Sequence, residues 1–223
     1  LYWKEFHWYR WRDLWIHWGQ FLGFYMNSKD FNIYLPKYLS DEEVKVLFED
    51  LKKFPNNIDS RFYSFFSIDD AIVYQGDGIK NIPTFNLPEI ESKKTNNLVL
   101  SNTCDIDLDN DRKIPSRILF TPIISLSKIE ENLLKKFPKQ KVETFLESIR
   151  KQEITQIQKK KKNENIEDSI IFFDRTNSLP NSIIDRNEAK NLRIFSLSQF
   201  GFYIFLIKLS IHFTRVKEGV RRK

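Results

Sequence analysis

The spacing of apolar and polar positions changes several times along the chain, and each change marks an element. Val44, Leu47 and Leu51 recur at helical spacing. Ser40 and Glu43 form a capping box before them, and Pro55 lies just beyond, so a helix is predicted over about 41–53. Phe62 to Ser67 and Ala71 to Gln75 read as short strands, closed by Asp69-Asp70 and by Gly76-Asp77-Gly78. Residues 80 to 96 are polar, hold Pro83 and Pro88, and read as a loop. Leu98 to Leu100 is a short buried strand, and Asp105 to Pro115 an acidic loop. The run Arg117 to Ser125 is apolar enough for a strand buried on both faces.

Helical spacing returns after Ser127, with Ile129, Leu133 and Leu134 on one face. A second helix after Pro138 carries Val142, Phe145, Leu146, Ile149 and Ile154, and fades into a linker at Lys159 to Asn165. Ser169 to Asp174 and Leu192 to Phe195 are further strands. Ser196 or Ser198 caps a long C-terminal helix reaching about Val216. There are no internal repeats. The fold class expected is α+β, with a helical insertion near 127–160.

Residues 1–25 stand apart. All five tryptophans lie there, and Met26, the only methionine, follows directly. Three readings stay open: a non-native leader, an aromatic helix docked on the domain, or a helix at a membrane interface. Residues 26–223 are expected to form one domain.

Composition narrows the function. Six glycines, with no G-x-G-x-x-G and no G-x-x-x-x-G-K, argue against dinucleotide and P-loop enzymes. One cysteine excludes a disulfide framework and a cysteine zinc site. Three histidines, two of them within the first 17 residues, offer no His-rich metal site, and no cofactor is implied. The net charge of +6 permits nucleic-acid binding without requiring it. The basic runs at Lys159–Lys162 and at Arg215–Lys223 read first as solvated faces. Phe200 to Phe213 is the longest apolar stretch, but Lys208, Ser210 and His212 break it, and it is too short to span a bilayer. A cytoplasmic protein is expected.

Five short motifs follow one another in order: Gly76-Asp77, Leu98-Val99-Leu100-Ser101-Asn102, Ile118 to Ile124 with Pro122, Asp174-Arg175-Thr176 with Leu179, and Phe195-Ser196-Leu197-Ser198. In this order, residues 76–215 resemble the bacterial MazF/PemK-like toxin group. The resemblance implies an SH3-like β-barrel with a C-terminal helix, acting in a toxin–antitoxin or phage-defence system. It also implies an endoribonuclease, with RNA as substrate and an antitoxin as partner. The implied catalytic positions are Ser101, Cys104, Asp105, Thr121 (with Ser125 as its alternative) and Arg175; the implied nucleic-acid contacts are Lys94, Arg175 and Arg215. The group's Arg-Pro before its central strand is replaced here by Thr95-Asn96, and Lys93 or Lys94 supplies charge without the bidentate geometry of arginine. A non-catalytic SH3-like barrel that binds a protein partner is the alternative.

The residues themselves admit plainer roles. Cys104 lies beside Asp105, whose charge opposes thiolate formation. Asp105, Asp107, Asp109 and Asp111 alternate like the start of an EF-hand loop, but Asn110 and Ser116 stand where that loop needs glycine and glutamate. A solvated acidic loop is the first reading, and a metal-dependent hydrolase the weakest of the three functions considered. Arg175 is expected to pair with Asp174 or Asp185, and His212 to pack within its helix.

Overall fold

The computed structural model describes residues 72–86, 91–107, 112–150, 157–160 and 167–214, with residues 40, 42, 45, 46, 49, 62–64, 88 and 110. The chain divides into two units, Leu1–Asn57 and Ile58–Lys223. In the first, Glu42, Lys45, Val46 and Glu49 are helical, within the helix predicted there. All elements below belong to the second unit.

A hairpin occupies the segment read from sequence as a loop. Strand β1 (Gly78–Phe85) pairs antiparallel with β2 (Ser92–Val99). The register shifts between Ile79 and Ile82, where Asn81 takes a left-handed φ of 63°. A bulge of this kind breaks the period-two alternation that would reveal the strand. Pro83 is tolerated because β7 (Arg193–Phe195) flanks β1 only at Gly78 and Ile79, which leaves an open edge at Pro83 among the described residues. Residues 72–74, expected as strand, are not paired in a sheet, and the chain turns at Gln75-Gly76.

Between these strands come the short helix α1 (Thr103–Ile106), strand β3 (Arg117–Ser125) and the helical hairpin α2 (Leu126–Leu134) and α3 (Lys139–Arg150). Strands β4 (Ile157–Lys160), β5 (Ser169–Phe172) and β6 (Asn177–Pro180) follow, then α4 (Ala189–Leu192) before β7, and α5 (Gln199–Thr214). The sheet runs β4-β5-β3-β2-β1-β7, with β6 beside β3, and every pairing is antiparallel. The molecule is thus mixed α/β, built on one antiparallel sheet. The sheet curls. The Phe85 amide at the end of β1 donates to Asn177 Oδ1 at the start of β6 over 2.8 Å, across two intervening strands. Ile79, Ile82, Val99, Ile118 and Phe120 fill the concave side of this half-barrel. Strand β3 is not buried on both faces at its start: Ile118 and Phe120 are inside, and Arg117 and Leu119 are exposed. Lys159 and Lys160, expected in a linker, belong to β4 and stand opposite Ile170 and Ser169.

The other side of the sheet is covered twice. Phe205 on α5 packs with Leu98, Leu100, Ile171, Phe173 and Phe195. Val142, Leu146 and Ile149 on α3 meet Leu126 and Ile170. Ser198 Oγ accepts the Gly201 amide over 3.1 Å and so caps α5. At Gly201 a Cβ would lie 2.1 Å from the Phe62 carbonyl oxygen, so only glycine lets the helix approach that closely.

Two buried charges shape the fold. Asp77 is 1% exposed, and its Oδ2 accepts from Arg193 Nε and from the Tyr74 amide, each over 3.0 Å. Oδ1 has no partner among the described residues. Burial raises the Asp77 carboxyl above the usual carboxylate range, against the pull of the nearby Ser196 hydroxyl, the Tyr74 amide and Arg193. Lys208, on α5, is 1% exposed, and burial lowers its ammonium to about 7.

Arg193→Met should destabilise the protein by about 3–5 kcal/mol in urea titration, because it strands a buried carboxylate. A loss under about 1 kcal/mol would show that the pair is dispensable. Lys208 gives the opposite of acid stabilisation. Between about pH 7 and pH 10 the unfolded chain holds a proton that the folded chain has released, so stability should rise with pH, on the order of 1 kcal/mol per pH unit. Lys208→Met should remove that slope; an equal slope in both proteins would contradict the assignment.

Candidate functional site

The site grows out of the end of β2. The Leu100 amide donates to Leu119 O over 2.8 Å, and Ser101 Oγ accepts the Leu119 amide over 2.7 Å. Gln75 holds the next turn from outside: its amide donates to Thr103 Oγ1 over 3.1 Å, and its side-chain nitrogen to Leu100 O over 2.7 Å. Asn102 then caps α1, accepting the Cys104 amide over 2.9 Å. A polar sequence, S-N-T-C-D, is fixed here by its own side chains, the usual work of short polar residues at a helix start.

Helix α1 brings Asp105 to an open groove of about 390 Å³, lined by Ser101, Asp105, Arg112, Ile114, Arg117 and Leu119 among others. Asp105 Oδ1 meets Arg112 Nη2 at 2.5 Å, with both side chains about half exposed. Arg117 is held in two places by β6, donating to Ser178 Oγ and Ser178 O over 2.8 Å each. Ile114 is 82% exposed and Leu119 43%. Two guanidiniums, one carboxylate and an aliphatic wall therefore share one concave, wet surface.

The residues singled out from sequence divide between places. Ser101 and Asp105 meet in the groove. Ser101 is buried, and its oxygen pins β3 to β2. Cys104 is exposed on α1, and its carbonyl accepts from Asn110 Nδ2. Thr121 is fully buried, and its hydroxyl donates to Phe172 O over 2.6 Å, so it ties β3 to the end of β5 and does not line the groove. The alternative, Ser125, bonds with Ser127 and with Glu167 at the start of α2. Arg175 is exposed in the turn after β5, with its guanidinium 4.2 Å over the Phe172 ring. The expected ion pair of Arg175 with Asp174 or Asp185 does not form; stacking on the aromatic face takes its place. Lys94 is exposed on β2 opposite Pro83. Arg215 lies outside the described residues. His212 packs at a tilt against Phe173, with ring centroids 5.9 Å apart.

Next to Lys94 the hairpin carries an internal polar network. Thr84 and Thr95 share a hydrogen bond of 2.6 Å, and buried Asn97 donates to Thr95 O over 3.0 Å. Among the described residues, no three His, Cys, Asp or Glu side chains stand together as metal ligands do.

Arg112 and Arg117 were not singled out from sequence. Their signal was weak: Arg112 sits in a polar loop seven residues after Asp105, and Arg117 reads as the first residue of a strand. Only the turn at α1 and the pairing of Arg117 with Pro180 bring both to one surface. No protein-family model matches the chain, and no curated protein matches its sequence.

The site separates a structural serine from an exposed acid. Ser101→Ala should cost about 1–3 kcal/mol, because the Leu119 amide loses its partner. Asp105→Asn should cost under about 1 kcal/mol, since the pair it breaks is half exposed. Chemical denaturation of the two variants checks this, and the reverse order would place the acid, not the serine, in the scaffold.

Proposed function

We propose that the chain is a toxin-like or defence-associated protein that binds single-stranded RNA across the Asp105–Arg112–Arg117 groove. The observation that carries this reading is the two guanidiniums in one open groove beside an exposed carboxylate. Arg117 is preorganised by Ser178 to meet an anion, and arginine forks fit phosphate bidentately. Arg112 has a carboxylate it can exchange for a phosphate oxygen. Arg175, outside the lining of the groove, offers a third guanidinium, stacked on Phe172.

We assign the curled sheet to the SH3-like barrel of the MazF/PemK-like group. Support comes from where the five motifs fall: Gly76-Asp77 before β1, Ser101-Asn102 after β2, Pro122 within β3, Asp174-Arg175-Thr176 between β5 and β6, and Ser196 to Ser198 between β7 and α5. In that assignment the groove lies at the ends of β2 and β3. RNA cleavage is the chemistry it would add. Asp105, released by Arg112, takes the proton of the attacking 2′-hydroxyl, and the guanidiniums balance the charge of the phosphorane. The P–O5′ bond breaks as the P–O2′ bond forms, the leaving 5′-oxygen takes a proton from water, and the products would be a 2′,3′-cyclic phosphate and a 5′-hydroxyl.

A second reading rests on Ile114 and Leu119. These exposed aliphatic side chains suit a protein partner, such as an antitoxin segment, better than a phosphate backbone.

Anisotropy titration with a short single-stranded RNA at several salt concentrations separates the two. Arg112→Ala and Arg117→Ala should each weaken binding and flatten the salt slope by about 0.7. Asp105→Asn should keep binding and abolish any cleavage seen without Mg²⁺. Absence of RNA binding by the unaltered protein at low salt would overturn the nucleic-acid reading and leave the partner-binding barrel.

A further inference from the structure

The turn of the helical hairpin is a surface that the groove does not explain. From Asn132 to Val142 the sequence reads NLLKKFPKQKV, with four lysines and no acid. The segment forms a fixed wedge rather than a loose loop. The amides of Lys136 and Phe137 both donate to Leu133 O, over 2.9 and 2.8 Å, and the Lys141 amide donates to Pro138 O over 3.0 Å. Beneath it, Val142, Leu146 and Ile149 anchor the hairpin on Leu126 and Ile170. At its apex two large apolar side chains face solvent, Leu134 at 45% exposure and Phe137 at 37%. Lys135, Lys136, Lys139 and Lys141 flank them in the sequence and are all exposed. Among the described residues, Lys139 is the one of the four that reaches an acid, Glu143, at 3.7 Å.

We infer that this wedge docks the protein on an anionic lipid bilayer. The charge is complementary to acidic headgroups, and lysines beside a membrane surface each add attraction. Long lysine stems let the ammonium groups stay at headgroup level while Leu134 and Phe137 enter the acyl boundary. Leu134 gives a nucleic acid nothing to stack on or hydrogen-bond with, whereas both Leu134 and Phe137 can enter an acyl layer. The core below closes without the two apex side chains, so nothing in the packing of the hairpin requires them to be apolar.

Flotation of the full chain with vesicles tests the inference, using phosphatidylcholine alone and phosphatidylcholine with about a third phosphatidylglycerol. The chain should float with the anionic vesicles only and be released at high salt. Replacing the four lysines by glutamine should weaken binding by about fivefold for each lysine that reaches the surface. Leu134→Ser with Phe137→Ser should weaken it by at least about tenfold, with an unchanged melting temperature. Anionic-vesicle binding that is absent at low salt, or equal in the wedge variants, overturns the inference. So does a wedge variant that loses affinity for RNA while its affinity for vesicles is unchanged, which would make the lysines a nucleic-acid surface.

Discussion

The buried pair of Asp77 and Arg193 is the constraint from which the rest of the architecture follows. Taking both charges out of water is expensive, and their attraction offsets that cost only when the geometry is held. Asp77 Oδ2 receives Arg193 and the Tyr74 amide together, and Arg193 also reaches the Ile72 carbonyl. The pair therefore locks three segments at once: residues 72–77, the start of β1 and the start of β7. Gly76 turns there with φ of +88°, beneath Leu197 and Phe202. A side chain at Gly76 would be strained and would press on Leu197, only 2.8 Å from its Cβ.

From this knot the constraint runs to the groove by hydrogen bonds. The Val99 amide donates to Asp77 O, and the Gly76 amide donates to Val99 O, each over 2.9 Å. Val99 ends β2, and Gln75, next to Gly76, holds Leu100 and Thr103. Asp105 is thus tied to the buried ion pair through the hydrogen bonds of Gly76, Val99 and Gln75. Arg117 is placed from the other direction, through the pairing of β3 with β6, and β6 in turn is held by Asn177 to the end of β1. An acid and two guanidiniums reach one surface because α1 follows the end of β2 and β3 starts beside β6.

Elements held by local pattern were legible in the sequence. Strand β3 begins and ends at the residues that its apolar run marks, and α3 buries Val142, Leu146 and Ile149 at the spacing that predicts it. Elements held by distant partners were not. The β1–β2 hairpin hides behind Asn81, Pro83 and a run of lysines, because its stability comes from the neighbouring strands and from the Thr84–Thr95–Asn97 network. Strand β4, with the sequence IQKK, carries no strand pattern of its own and exists through its pairing with β5. The site was legible by halves. Ser101 and Asp105 stand at a strand end, where polar residues attract notice, but Arg112 and Arg117 join them only through tertiary register. Thr121 shows the converse: a hydroxyl in an apolar strand looks chemical, yet it satisfies the Phe172 carbonyl in the interior.

In the proposed reading, the groove between α1 and the start of β3 is the surface that would contact RNA. Photo-crosslinking with a short RNA carrying 4-thiouridine, followed by mass spectrometry of the peptides, maps that surface directly. The account predicts crosslinks within residues 101–119, with further ones near Arg175. Crosslinks confined to residues outside these segments would contradict it.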